Sequence, residues 1–177
     1  MLLTLSWELF WDGYGEFRRI FIKSPSGRKR FNVLGALNAI THEIITVTNE
    51  TYINAESICE LLGKLAALKL SIPITIVCDH ARYQKCKLVQ DLANALEIEL
   101  LYLPSYSPNL NLIERLWKLV KKQCLYSKYY SDFPEFKTAI SSFINTAHKT
   151  IMGNGNFKPN SPWRGNFGRL KLLLCGS

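Results

Sequence analysis

Acids, paired cysteines and long apolar runs are all scarce in this 177-residue chain. Asp and Glu number 14 against 22 Lys and Arg, a net charge of +8 with a pI near 9.3. That excess is a weak pointer to a polyanionic partner. The five cysteines (Cys59, Cys78, Cys86, Cys124, Cys175) are odd in number and contain no C-x-x-C pair. A disulfide framework and a structural zinc site are therefore disfavoured, and the thiols read as reduced and mostly buried. No apolar stretch approaches the roughly 20 residues of a membrane span. Met1-Leu2-Leu3-Thr4-Leu5 also lacks the basic segment and cleavage site of a secretory leader, so the cytoplasm is the expected compartment and no membrane partner is expected. With 47% hydrophobic residues the chain can bury enough apolar surface to offset its ordering entropy, which excludes disorder and predicts one ordinary domain.

The first third reads as strands. Leu2 to Trp11, Phe17 to Lys23, Phe31 to Asn38 and Glu43 to Thr48 are rich in β-branched and aromatic residues. Asp12-Gly13, Ser24-Pro25-Ser26-Gly27 and Asn38-Ala39-Ile40-Thr41 supply the turns between them. Ile58, Leu61, Leu62, Leu65 and Leu68 then recur at helical spacing behind Asn54, a capping residue type. Ile74 to Cys78 is continuously apolar, as a strand covered on both faces must be. A helix from Lys85 to Leu96, a strand from Ile98 to Leu103, a helix carrying Leu112, Ile113, Leu116, Trp117 and Val120, and a fourth helix over Phe133 to Ala147 complete the pattern. Ser107-Pro108-Asn109 supplies a cap candidate ahead of the third of these helices.

Right-handed crossovers place the later strands beside the early antiparallel ones. The expected fold is α/β and ribonuclease H-like, a mixed five-stranded sheet flanked by helices. Residues 1–150 form that domain. From Gly153 onward the Gly, Asn and Pro content predicts an irregular tail over 151–177.

Asp79 follows the buried strand directly, and ligands of open α/β sheets bind at the carboxyl ends of strands. A strand-end aspartate can equally cap the next helix. Glu114 stands near the start of the third helix, where Asn111-Leu112-Ile113-Glu114 also fits a capping box. The pair says more than either residue. The 34 residues between them hold one helix-strand unit, which returns the chain to the same sheet edge. Two carboxylates meeting there repel unless a cation lies between them, and all-oxygen donors favour Mg2+ or Mn2+.

Two runs carry a family resemblance: Ile76-Val77-Cys78-Asp79 with Ala81-Arg82-Tyr83, and Tyr102 to Trp117 (Y-L-P-S-Y-S-P-N-L-N-L-I-E-R-L-W). They resemble the DDE transposases of the mariner-like and bacterial insertion-sequence superfamily, and Arg30 to Asn38 is also similar. The likeness extends over about residues 18 to 145. It implies a ribonuclease H-like catalytic core that binds two divalent ions and cuts and rejoins DNA at transposon ends. Double-stranded DNA is the implied partner, and a homodimer in a transposition complex is compatible with it. Asp79 and Glu114 fall on the family's second and third acids. His80 stands where the family commonly has Asn.

The first family aspartate belongs on the first strand, and counting back from Gly35 puts it at or before Met1. Asp12 is the remaining candidate for a third ligand, although Asp12-Gly13 also reads as a tight turn. The chain is thus expected to be a truncated core, with a hydrolytic nuclease or an inactive remnant that at most binds DNA as alternatives. Arg82 and Lys85 behind Asp79, and Lys118, Lys121 and Lys122 on the helix of Glu114, are the candidate phosphate contacts. Trp117, at apolar spacing, reads as core.

Overall fold

The computed structural model describes residues 3–6, 29–78, 81–104, 112–126, 128–153 and 170–175. Its elements run β1 (Leu3–Ser6), β2 (Arg30–Asn38), β3 (Ile44–Asn49), α1 (Ala55–Ala66), β4 (Ile74–Cys78), α2 (Lys87–Ala95), β5 (Ile98–Tyr102), α3 (Leu112–Cys124), α4 (Phe133–Gly153) and β6 (Leu170–Cys175). A single 3-10 turn, Arg82–Gln84, separates β4 from α2. The strand expected over Phe17 to Lys23 and the cap candidate at Ser107 to Asn109 lie outside the described residues.

β2 organises the sheet. One side pairs antiparallel with β3, from Asn32 opposite Asn49 to Leu37 opposite Ile44. Its other side is shared: β1 pairs along Arg30–Val33, and β6 pairs along Gly35–Asn38. β6 in turn runs parallel to β4, with Ile74 opposite Leu170 and Val77 opposite Leu173, and β4 runs parallel to β5. The result is a mixed sheet of six strands rather than the five expected. The sixth, β6, comes from the segment whose composition predicted an irregular tail. Leu-Lys-Leu-Leu-Leu-Cys is short and apolar without helical or alternating period, so only pairing partners distant in sequence reveal it as a strand.

Alternation along β2 divides the core. Phe31, Val33 and Leu37 join one buried cluster with Ile113, Leu116, Trp117, Val120, Phe136 and Ile140 of α3 and α4. Leu34 and Ala36 join the other, with Ile58, Leu61, Leu62 and Leu65 of α1 and Val89 and Ala93 of α2. Successive side chains of a strand point to opposite faces, so a strand buried on both must read as a continuous apolar run. β2 and β4 both do. Each fully buried Leu or Ile contributes about 1.5–3 kcal/mol relative to exposure.

Polar groups within these layers find partners. Asn32, 2% exposed, donates from Nδ2 to Asn49 Oδ1 and to the Thr51 carbonyl, both at 2.9 Å, tying β2 to the end of β3. Asn54 caps α1 as its residue type predicts, accepting from the Ser57 amide at 3.0 Å. Among the described residues no helix is long and apolar enough to cross a membrane.

Candidate active site

β4 ends at Cys78, the residue before Asp79 in the chain. Parallel β5 ends at the same edge, where the Leu103 amide donates to the Cys78 carbonyl at 2.9 Å. β6 also finishes there, its Cys175 lying opposite Gly35 of β2. The start of α3 covers this level of the sheet. A Cβ built on Gly35 would lie 3.0 Å from Cη2 and Cζ2 of Trp117 and 3.4 Å from Cδ1 of Ile113. Glu114 follows Ile113 in the first turn of α3.

Ile113, Leu116, Trp117, Val120 and Cys124 form the buried stripe of α3. Glu114 is half-buried on the flank of that stripe. Lys118 and Lys121 follow it at i+4 and i+7 and therefore share its flank, Lys118 exposed and Lys121 half-buried. Lys122 is exposed and projects from the outer side, one residue further round the helix. Trp117 is 2% exposed, in the core as its spacing predicts.

Behind β4, Arg82 and Lys85 are both exposed on and beside the 3-10 turn. The turn is tethered to β5 by the Tyr102 hydroxyl, which donates to the Gln84 carbonyl at 3.0 Å. Lys85 Nζ stands 5.3 Å from the Tyr102 ring centroid. Burial, with a smaller contribution from Cys78, pushes the Tyr102 phenol above its ordinary pKa, so it stays neutral. Gln84 is not among the residues its sequence context singles out. It is 1% exposed, and among the described residues neither its Nε2 nor its Oε1 has a hydrogen-bond partner. Its position after Asp79 is the only signal in the sequence that could have raised it.

Asp79 and Asp12 lie outside the described residues, leaving Glu114 as the candidate acid within them. No group of three or more His, Cys, Asp or Glu able to hold a metal occurs among the described residues. The chemistry of a carboxylate pair such as Asp79 and Glu114 would fit a hard divalent ion.

The family model of the DDE superfamily endonucleases matches residues 7–137. The chain belongs to this family. No curated protein sequence matches it. Among solved structures it is similar to a chain of the simian T-cell lymphotropic virus intasome, at a TM-score of 0.52 and 23% identity. That likeness covers 67% of this chain and 42% of the other, so the present chain spans less than half the length of that relative. It is also similar to the catalytic core domain of BIV integrase, at a TM-score of 0.50 and 13% identity over 81% of this chain and 82% of that one. The Mos1 transposase in its paired-end complex gives 0.47 and 13% over 88% and 54%. At these identities the first two likenesses are of fold: a mixed α/β core of the integrase type.

Proposed function

We propose that this chain is the catalytic core of a transposase-like DNA-cleaving protein, with Asp79 and Glu114 as its metal-holding carboxylates. The observation that carries the reading is the family match over 7–137, which spans both acids, together with the half-buried Glu114 on the first turn of α3. A divalent ion bound there would activate a water or a 3′-hydroxyl and stabilise the leaving oxygen of a phosphodiester. Asp79 and Glu114 would hold and orient it. Lys118 and Lys121, on the flank of Glu114, would anchor the phosphates on either side of the scissile one. Arg82, Lys85 and Lys122 would hold the duplex further out, through contacts that position DNA without reading its sequence.

A second reading has its own support. Two ions about 3.5–4 Å apart need a carboxylate that bridges them. Among the described strands that end at this edge, central β6 offers Leu-Lys-Leu-Leu-Leu-Cys and no acid. Where Asp12 does not supply the bridge, one ion at most binds well and strand cleavage is weak or absent. A remnant that binds duplex DNA without cutting it then describes the chain.

The deciding experiment is nicking of supercoiled plasmid with Mn2+ by the parent, Asp79→Asn and Glu114→Gln. Weak nicking that disappears in both variants supports the site. Binding without nicking in the parent favours the remnant, and nicking that survives both substitutions removes Asp79 and Glu114 from the chemistry.

A further inference from the structure

β2 and β4 do not pair with each other. Among the described strands, β6 is the only hydrogen-bonded link between the antiparallel half of the sheet (β1, β2, β3) and the parallel half (β4, β5). The gap it fills has two backbone walls, Gly35–Asn38 of β2 and Ile74–Val77 of β4. Ala36, Leu37, Ile76 and Val77 on those walls are each 0% exposed. Those exposures hold with β6 seated, and its removal would strip ladder hydrogen bonds from two strand edges at once.

The gap is also selective. A strand entering it must run antiparallel to β2 and parallel to β4 at once, which fixes its direction, and it must be predominantly apolar because both faces of the sheet are covered. β6 reaches it from α4 through residues 154–169, a stretch containing three Gly, two Pro and four Asn and no periodic apolar segment. The adjoining sequence does not predict the strand's placement. Pairing with the two walls accounts for it.

We propose that the gap between β2 and β4 is a binding site for an extended apolar peptide strand, filled in cis by Leu170–Cys175, and that this occupant is exchangeable. The ligand class is a six-residue, predominantly apolar segment lying parallel to β4, held by main-chain hydrogen bonds on both edges. A random coil of 16 residues, the length of 154–169, has a root-mean-square span of about 20–24 Å, and a tether of that reach would keep the strand at a millimolar effective concentration. A strand supplied in trans therefore competes only once the tether is cut.

The test places a specific protease site within 154–169, cuts the folded full chain, and adds a fluorescent peptide of the Arg169–Cys175 sequence. The cut chain should keep slow amide exchange at Gly35–Asn38 and Ile74–Val77. The peptide should enter saturably and co-elute, while the same peptide with Leu172→Pro, lacking one strand N–H, should not enter. Loss of the cut strand with both walls still protected overturns the proposal, as does equal uptake of the Pro peptide. In the uncut chain, Leu172→Pro should abolish slow exchange along both walls. Unchanged protection there would equally overturn it. If that variant fails to fold, the cut chain, unaltered within the strand, still decides.

Discussion

Gly35 on β2 and Trp117 on α3 meet with no room for a methyl group: a Cβ on Gly35 would lie 3.0 Å from two atoms of the indole ring. The ring is buried among Ile113, Leu116 and Val120 and cannot swing aside as a long flexible side chain would. Gly35→Ala should therefore push α3 off the sheet and destabilise the fold by about 1–3 kcal/mol, the usual cost of overpacking. Urea unfolding of the two proteins measures it. Because Glu114 lies on the same helix turn, the displacement should also lower whatever metal affinity the parent shows.

The start of α4 is tied by acids. Glu135 Oε2 accepts from the Ser131 hydroxyl at 2.7 Å and the Ser131 amide at 2.9 Å, and Asp132 accepts from the Glu135 amide at 2.7 Å. The Ser131 hydroxyl foremost, then its amide, holds the Glu135 carboxyl below its ordinary 4.5. A depressed folded-state pKa stabilises above the unfolded value, and the contribution is lost as pH falls through the lower folded value. An NMR titration should place the Glu135 midpoint below that of an unstructured Glu. Ser131→Ala should raise it part of the way back, since the amide donor remains. An unchanged midpoint would dissociate the shift from Ser131.

Most of the layer order was legible because local chemistry and tertiary context agree. Ile74 to Cys78 reads as a doubly covered strand and is one, and Asn54 caps α1 with its own side chain. The stripe from Ile113 to Val120 likewise announces the buried face of α3. β6 was not legible, because a short apolar run acquires strand character only from its neighbours, here β2 and β4 from far earlier in the chain. Within the candidate site, Glu114 and the lysines of α3 could be placed by helix spacing alone. The division of the lysines, Lys118 and Lys121 beside Glu114 and Lys122 outside, follows from the docking of α3 through Trp117 and Ile113. The buried amide of Gln84 could not be foreseen, since a polar residue after a strand end ordinarily faces water.

If about four phosphates are neutralised by Arg82, Lys85, Lys118, Lys121 and Lys122, duplex binding should be salt-dependent and largely indifferent to sequence. Four contacts give a slope of log affinity against log salt near −3.6, at roughly −0.9 per phosphate. Fluorescence anisotropy over a salt series reads it directly. Lys118→Ala should flatten the slope by about one contact's worth. A slope indistinguishable from zero would remove these residues from a DNA surface.

The last prediction concerns the acid-free strand. Cys175 occupies the register position opposite Gly35, whose Cβ direction leads to Trp117 and Ile113, and so to the turn that carries Glu114. A carboxylate introduced there would join two other acids at the edge where β4 ends, if Asp79 and Glu114 serve as proposed. Three carboxylates in one place repel strongly and are relieved by a divalent cation, so the substitution should show as metal affinity before it shows as catalysis. Cys175→Asp should bind Mn2+ on the order of tenfold more tightly than the parent, about 1.4 kcal/mol, by calorimetry or by loss of the free-ion EPR signal. Cys175→Asn, of nearly the same shape and without the charge, should bind no better than the parent. The aspartate in a central strand should also destabilise the metal-free fold, and Mn2+ should restore that stability by mass action, raising the midpoint of thermal unfolding in Cys175→Asp alone. Equal Mn2+ affinity in the Asp and Asn variants, with slow amide exchange along β2 and β4 intact in both, would show that this strand position does not face the metal-holding edge.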